Sequence, residues 1–312
     1  MLHLRPIACL PDCGTAARSP ENSRVRTALL GLVLLALPAL ASAQIRVASS
    51  DLLGPAFREA VAEFARDYQL EITIEMPGSR PAMDKLREGT TDLVIVAQVP
   101  GDAALVEPFV GRIFAYQPIV VIVPEALPLS QITFTQLHGI FALGALDNFA
   151  SWGMIGLTGD WRTRAIAPHI LAASAGITQT LAQRLIFNGG AIKPTVTQAA
   201  NLEQLGQRVR AADGTIGLTS QMPSPDSGLR ALAVAATMSD AAYLPTPENL
   251  PAGYQLRLPL LLALRRASGP QLQPLLQFLL SDECAAAMAK DNFIQLPRGP
   301  RSQLALELEQ LR

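Results

Sequence analysis

From residue 45 onward the apolar positions change their period in a regular order. Residues 45–48 form a short apolar run, and across 55–68 Phe57, Val61, Phe64 and Tyr68 share one helical face while Arg58, Glu59 and Glu63 take the other. Leu70, Ile72, Ile74 and Met76 then alternate with Glu71, Thr73 and Glu75, the period of a half-buried strand. Gly78-Ser79 opens a helix running to Glu88, and residues 93–96 are a continuous apolar run bounded by Asp92 and Gln98. The order β-α-β-α-β over 45–96 predicts a mostly parallel sheet covered by helices.

The second half of the pattern is similar in kind. Residues 118–124 read as one long central strand, and Thr133-Phe134-Thr135-Gln136 as a capping box for a short helix carrying Leu137, Ile140 and Phe141. A strand at 169–173, a helix at 177–187, a helix through Leu202, Leu205 and Val209, and a strand at 215–219 make a second α/β set. Residues 223–251 are rich in Pro, Ser and Ala around a strand at 229–235. A long apolar strand at 256–264 and helices at 271–280 and 281–290 follow. No short period repeats, which excludes a solenoid.

The first 43 residues do not share this pattern. Residues 27–40 are apolar, preceded by Arg24 and Arg26 and followed by Ala41-Ser42-Ala43, which reads as a secretory signal peptide with a small-x-small cleavage site. The run is too short, and too near that site, for a membrane anchor, and no Cys follows it to carry a lipid. The mature chain is therefore expected to begin at Gln44, in the periplasm. Residues 1–23 hold Cys9, Cys13 and three prolines without apolar periodicity. Signal n-regions are short, so the preferred reading is a translation start placed too far upstream.

Without those 43 residues the 312-residue chain keeps 269, in which 21 Lys and Arg oppose 24 Asp and Glu, a net charge near −3. Nothing in that balance points to nucleic acid or an anionic membrane surface as a partner. Cys284, beside Ala285, Ala286 and Ala287, has no disulfide partner and reads as a small buried hydrophobe. The remaining histidines are His138 and His169; no H-E-x-x-H, S-x-x-K, G-x-S-x-G or cysteine cluster is present, so neither an enzyme nor a metal or other cofactor is expected. Asp51 and Asp92 are expected near the same carboxyl edge of the sheet, which is too little to specify hydrolysis.

Four small-residue turns carry more information: Ser50-Asp51-Leu52-Leu53-Gly54-Pro55, Gly78-Ser79, Ala173-Ser174-Ala175-Gly176-Ile177-Thr178 and Gly214-Thr215-Ile216-Gly217. They read as lying after strands and mostly before helices, where open α/β sheets bind ligands and bare backbone N–H groups hold anions. With Trp152 after the helix of Leu137, Ile140 and Phe141, the strand Tyr254-Gln255-Leu256-Arg257-Leu258-Pro259-Leu260 and the helix start Ser281-Asp282-Glu283, the blocks follow one another as in a known family. The chain resembles the periplasmic substrate-binding proteins of the high-affinity phosphate ABC transporter over residues 45–297.

The resemblance implies an α/β, two-lobed periplasmic-binding-protein-like fold, each lobe a mostly parallel sheet flanked by helices and joined by crossing strands. Residues 1–43 would be extension and signal peptide, 44–117 with 258–312 the first lobe, and 118–257 the second. It implies capture of a small phosphate-like oxyanion for an ABC permease, without catalysis. Asp51 lies in the first ligand turn. The ligand would meet the amides of Leu52, Ser79, Gly176, Ile177 and Thr178, the hydroxyls of Ser79, Ser174 and Thr178, and the Arg80 guanidinium. The chain also departs from the family. Ala97 and Gln98 stand where an Asp or a Ser-Arg pair is usual, and Leu171, Ala172 and Ala173 where an Arg and often an Asp precede the serine-glycine-threonine turn. The implied site is degenerate, and the alternative is an envelope partner-binding or sensory protein that kept the fold and lost phosphate binding.

Overall fold

The computed structural model describes residues 44–99, 102, 104–175 and 177–311; the expected signal segment and Gly176 lie outside the described residues. The elements run β1 (Ile45–Ser49), α1 (Pro55–Asp67), β2 (Ile72–Glu75), α2 (Ser79–Glu88), β3 (Leu93–Ala97), β4 (Phe109–Pro118), β5 (Val120–Pro124), β6 (Gln131–Thr133) and α3 (Phe134–Phe141). They continue through β7 (Ala167–Leu171), α4 (Thr178–Leu185), β8 (Thr197–Ala199), α5 (Leu202–Arg210), β9 (Thr215–Thr219), β10 (Leu229–Ala231), β11 (Ala233–Ala235) and α6 (Asn249–Ala252). The chain ends with β12 (Arg257–Arg265), α7 (Gly269–Leu279), α8 (Asp282–Lys290), β13 (Ile294–Gln295) and α9 (Arg298–Glu309). The capping box forms: Thr133 Oγ1 accepts from the Gln136 amide at 3.2 Å and Gln136 Oε1 from the Thr133 amide at 2.9 Å.

Two sheets hold most strands. The first has the order β13-β4-β12-β3-β1-β2 and the second β10-β5-β9-β7-β8. The β-α-β units are parallel as the sequence pattern requires: β1 with β2 and β3, and β7 with β8 and β9. As wholes the sheets are mixed rather than mostly parallel. β12 runs antiparallel to both β3 and β4, and β5 antiparallel to β9 and β10, because the strands that carry the chain out of one sheet and back enter from the opposite side. The expected strand 118–124 is divided for the same reason. β4 ends in the first sheet at Pro118 and β5 begins in the second at Val120; between them Ile119 donates its amide to Leu256 O at 2.8 Å, beside the returning segment. The strand expected at 229–235 is likewise split at Leu232, β10 joining β5 and β11 joining β6.

Each sheet has its own core. Phe57, Phe114, Leu260, Phe278 and Phe293 pack in the first, and Ile119, Phe141, Trp152, Phe187 and Tyr254 in the second. Leu52, Ala97 and Leu296 pack against both. Cys284 is wholly buried in the first core, and burial pushes its thiol up to about 12, which leaves little reactive thiolate at neutral pH.

Asp92 is placed differently from its expected position. It precedes β3, at the amino end of the parallel strands, whereas Asp51 follows β1 at the carboxyl end, so the two carboxylates are a strand's length apart. Asp92 instead closes the opposite edge: its Oδ2 accepts from the Arg46 amide at 2.9 Å and from Nε at 3.1 Å, and its Oδ1 from Nη2 at 2.8 Å. Burial would raise this carboxyl, but the hydrogen bonds and charge of Arg46 outweigh burial and hold it below its usual range. With the folded pKa below the unfolded value of about 3.9, the contribution is complete above that pH and disappears as pH falls through the folded value. Arg46 is half-exposed, so solvent screens the pair, and Asp92→Asn is expected to cost about 1 kcal/mol at neutral pH. The variant's melting temperature should also fall less steeply than that of wild type between about pH 4 and pH 2. Parallel acid titrations of the two melting curves would refute this.

Candidate functional site

At the first sheet, the turns after β1 and β2 are stitched together. Ser50 donates its amide to Ile95 O at 2.8 Å, Gly78 donates to Ser49 O at 3.3 Å, and the Leu52 amide reaches Ser50 Oγ at 3.3 Å. Gly78 has φ +98°, a conformation that suits glycine, and the Asp51 carboxylate lies beside it, with Oδ1 3.8 Å from where a Cβ would stand. Ser79 Oγ accepts from the Ala97 amide at 3.0 Å and so moors the start of α2 to the end of β3. Pro81 has no N–H, so the first turn of α2 offers the amides of Ser79 and Arg80.

The amino end of α1 is not such a site. Asp291, which follows α8, accepts from the Ala56 amide at 3.4 Å and from the Phe57 amide at 2.8 Å. A Cβ on Gly54 would stand 2.2 Å from Asp291 Oδ1, so the glycine makes room for the carboxylate. The positive end of the helix already has its anion, supplied by the chain itself.

At the second sheet, β7 ends at Leu171 and leads through a 3-10 turn, Ala173–Ala175, to α4. Ser174 is exposed, and Ile177, the residue before α4, packs against the second core. Among the described residues no side chain caps α4. Thr178 is 1% exposed and its Oγ1 has no hydrogen-bond partner among the described residues. A buried hydroxyl without a partner is uncommon in folded proteins.

The fourth turn is not at this edge. Gly214 precedes β9, and Thr215 is in register with Ala167 at the start of β7, so the turn lies at the amino end of the strands. Its groups are spent locally: Gly214 O accepts from Trp152 Nε1 at 3.1 Å, and Thr215 Oγ1 donates to Ala212 O at 2.7 Å. The group that does stand at the carboxyl end of β9 is Thr219, buried, with Oγ1 accepting from the Gln221 amide at 3.2 Å.

The two sets of strand ends approach one another, since Leu52 and Ala97 reach the second core and Ile177 packs on it. Arg80, with Ser79, lines a groove of about 900 Å³ whose described walls come from residues 79–113, Leu261 and Arg266. Two groups at the crossing strands escaped the sequence reading. Gln117, at the end of β4, is buried with Oε1 unpartnered, and Arg257, at the start of β12, lies 5.0 Å from the Tyr116 ring with a buried Nη1 lacking an acceptor, both among the described residues. The signal was available as polar residues at the ends of two long apolar strands. His169 Nδ1 is also buried without a partner among the described residues; burial, then the nearby Arg208 charge, lower its pKa, so the imidazole is neutral at pH 7. Among the described residues no cluster of His, Cys, Asp and Glu could hold a metal ion, and no helix is long and apolar enough to cross a membrane.

Comparison with known proteins agrees with this architecture. A family model described as the PBP superfamily domain matches residues 36–283. The chain is 25% identical over 275 residues to the phosphate-binding protein PstS of Pseudomonas aeruginosa, covering 82% of this chain and 84% of that protein. Among solved structures it is similar to a possible phosphate binding protein from Planctomyces limnophilus, with a TM-score of 0.64 at 18% identity over 86% of this chain and 98% of that one. An ABC-type phosphate transport receptor from Vibrio cholerae gives 0.59 at 18% identity, over 81% and 100%. These structural likenesses show a two-lobed α/β fold.

Proposed function

Because this chain belongs to the PBP superfamily, we propose that it is a secreted, periplasmic solute-binding protein, without enzymatic activity, that captures a small phosphate-like oxyanion for an ABC-type uptake system. Residues 44–117 with 258–312 make the first lobe in this reading and 118–257 the second, with the ligand between the carboxyl ends of β1 to β3 and of β7 and β9. The observation that carries it is the amino end of α4, where the unpartnered Thr178 hydroxyl and uncapped first-turn amides supply the donors an oxyanion needs. The amides of Ser79 and Arg80 support it from the other side. The neighbouring positions carry no cation, being Ala97, Gln98, Ala172 and Ala173. Asp51, beside the Gly78 turn, opposes a fully ionised ligand and accepts a hydrogen bond from a protonated one. Phosphate binding is accordingly weak.

Calorimetric titration with phosphate tests the site. Thr178→Val is expected to lower the affinity about tenfold or more, the worth of one hydrogen bond to a charged group. Ser79→Ala should weaken binding less and lower stability, because it also releases the Ala97 amide. Tight binding that neither change disturbs would sink the site. A second reading, an envelope partner-binding or sensory protein, draws support from Asp291 at the end of α1 and from the position of Arg80. Absence of any oxyanion binding would favour it.

A further inference from the structure

We propose that the groove beside α2 is a second binding site, for a small amphipathic acid with one negative charge and an unbranched apolar tail. It lies within the first sheet's side of the molecule and includes no residue between 118 and 257. Its origin is incomplete cover. α2 buries Ala82 and Leu86 against Ala48, Val94, Val96 and Ala263, which lie on β1, β3 and β12. The register places Val96, Leu261 and Ile113 side by side across β3, β12 and β4 on that same face. No described helix extends over Leu261 and Ile113, and the space left is about 900 Å³, within the range of small-molecule sites. Met83 of α2 forms one wall. Leu105 forms another, lying so close to Gly111 that a Cβ there would meet its Cδ1 at 2.7 Å.

The charges at the rim select the ligand class. Asp84 is paired with Arg87 at 2.9 Å and Glu107 with Arg266 at 2.7 Å, while Asp102 Oδ2 accepts from the Val99 amide at 2.7 Å. Arg112 is engaged with Glu307 of α9. Arg80 is left, with no acidic partner among the described residues, at the edge of an apolar floor. A guanidinium in that position binds a carboxylate or a singly charged phosphate ester through two N–H groups, and the floor takes the tail. An inorganic oxyanion would leave the floor empty, so the site is distinct in chemistry from the one proposed above.

The probes are decanoate and decanol, each below the concentration at which it aggregates, titrated calorimetrically into the whole protein, with melting curves confirming that each variant folds. Decanoate should bind at least about tenfold more tightly than decanol, and Arg80→Ala should erase that difference by weakening decanoate alone. Met83→Trp, which fills the groove from a half-buried position on its wall, should abolish binding of both and leave phosphate titrations unchanged. Equal affinity for the two probes, no decanoate binding, or decanoate binding that survives Met83→Trp would each overturn the proposal, whatever the phosphate result.

Discussion

Replacing Trp152 with alanine is expected to lower the stability of the protein by about 3–5 kcal/mol, the cost of emptying a large aromatic site from a close-packed core. The side chain is wholly buried in the second core. It stands in a 3-10 turn, Trp152–Ile155, inside a long connection between α3 and β7 that has no strand or α-helix of its own. Three bonds converge on it: its amide donates to Arg164 O at 3.0 Å, its carbonyl accepts from the Leu157 amide at 3.1 Å, and its indole N–H reaches Gly214 O. The ring is therefore what fastens the connection to the sheet. Trp152→Phe should cost less, because the Gly214 carbonyl keeps the Ala167 amide as a partner at 3.0 Å. Urea denaturation of both variants decides the matter, and a loss under about 1 kcal/mol for the alanine variant would show that the loop is held by other contacts.

Tyr254→Phe is expected to cost about 1–3 kcal/mol, because the hydroxyl lies in the second core and donates to the buried carbonyl of Ile119. Burial also drives this phenol well above its ordinary value of about 10. The folded pKa exceeds the unfolded one, so the native state holds the proton longer and stability declines as pH rises past about 10. The phenylalanine variant should lose much of that alkaline decline, with the remainder coming from the buried Cys284 thiol and from Tyr116, whose hydroxyl is raised by burial against the opposing charge of Arg257. Alkaline melting curves that decline identically in both proteins would contradict the assignment. Ile119 lies where the chain leaves the first sheet and Tyr254 where it prepares to return, so the bond fixes the two crossings side by side.

What was legible in the sequence was whatever depended on neighbours within a few residues. The parallel unit from β1 to β3 follows from a period that changes from two to 3.6 and back, and the capping box follows from Thr133 and Gln136 being three apart. What was not legible depended on partners far along the chain. Asp291 reaches α1 from 235 positions away, and nothing local to Ser50-Asp51-Leu52-Leu53-Gly54-Pro55 announces that its helix end is occupied. Asp92 looked like a partner for Asp51 because both flank strands; only the direction of β3 beside β1 separates them. The Gly214 turn was assigned to the wrong end of its strand for the same reason. Arg80 was correctly read as part of the turn at Gly78, but a side chain at the second position of a helix can point along either side of it. The break at Ile119 was hidden because residues on both sides are apolar and buried, whichever sheet they join.

The strand order of the first sheet also governs when it can form. β12 lies between β3 and β4, so neither can complete its pairing until a segment made after the entire second sheet has emerged. The second sheet, by contrast, draws all of its strands from one uninterrupted stretch between β5 and β10. Loop-closure entropy therefore sets an order of assembly, with the internal sheet first and the sheet that contains the beginning of the described chain last. A chain of this topology stays half-assembled while it is being synthesised, with β3 and β4 each presenting an unpaired edge until β12 arrives between them.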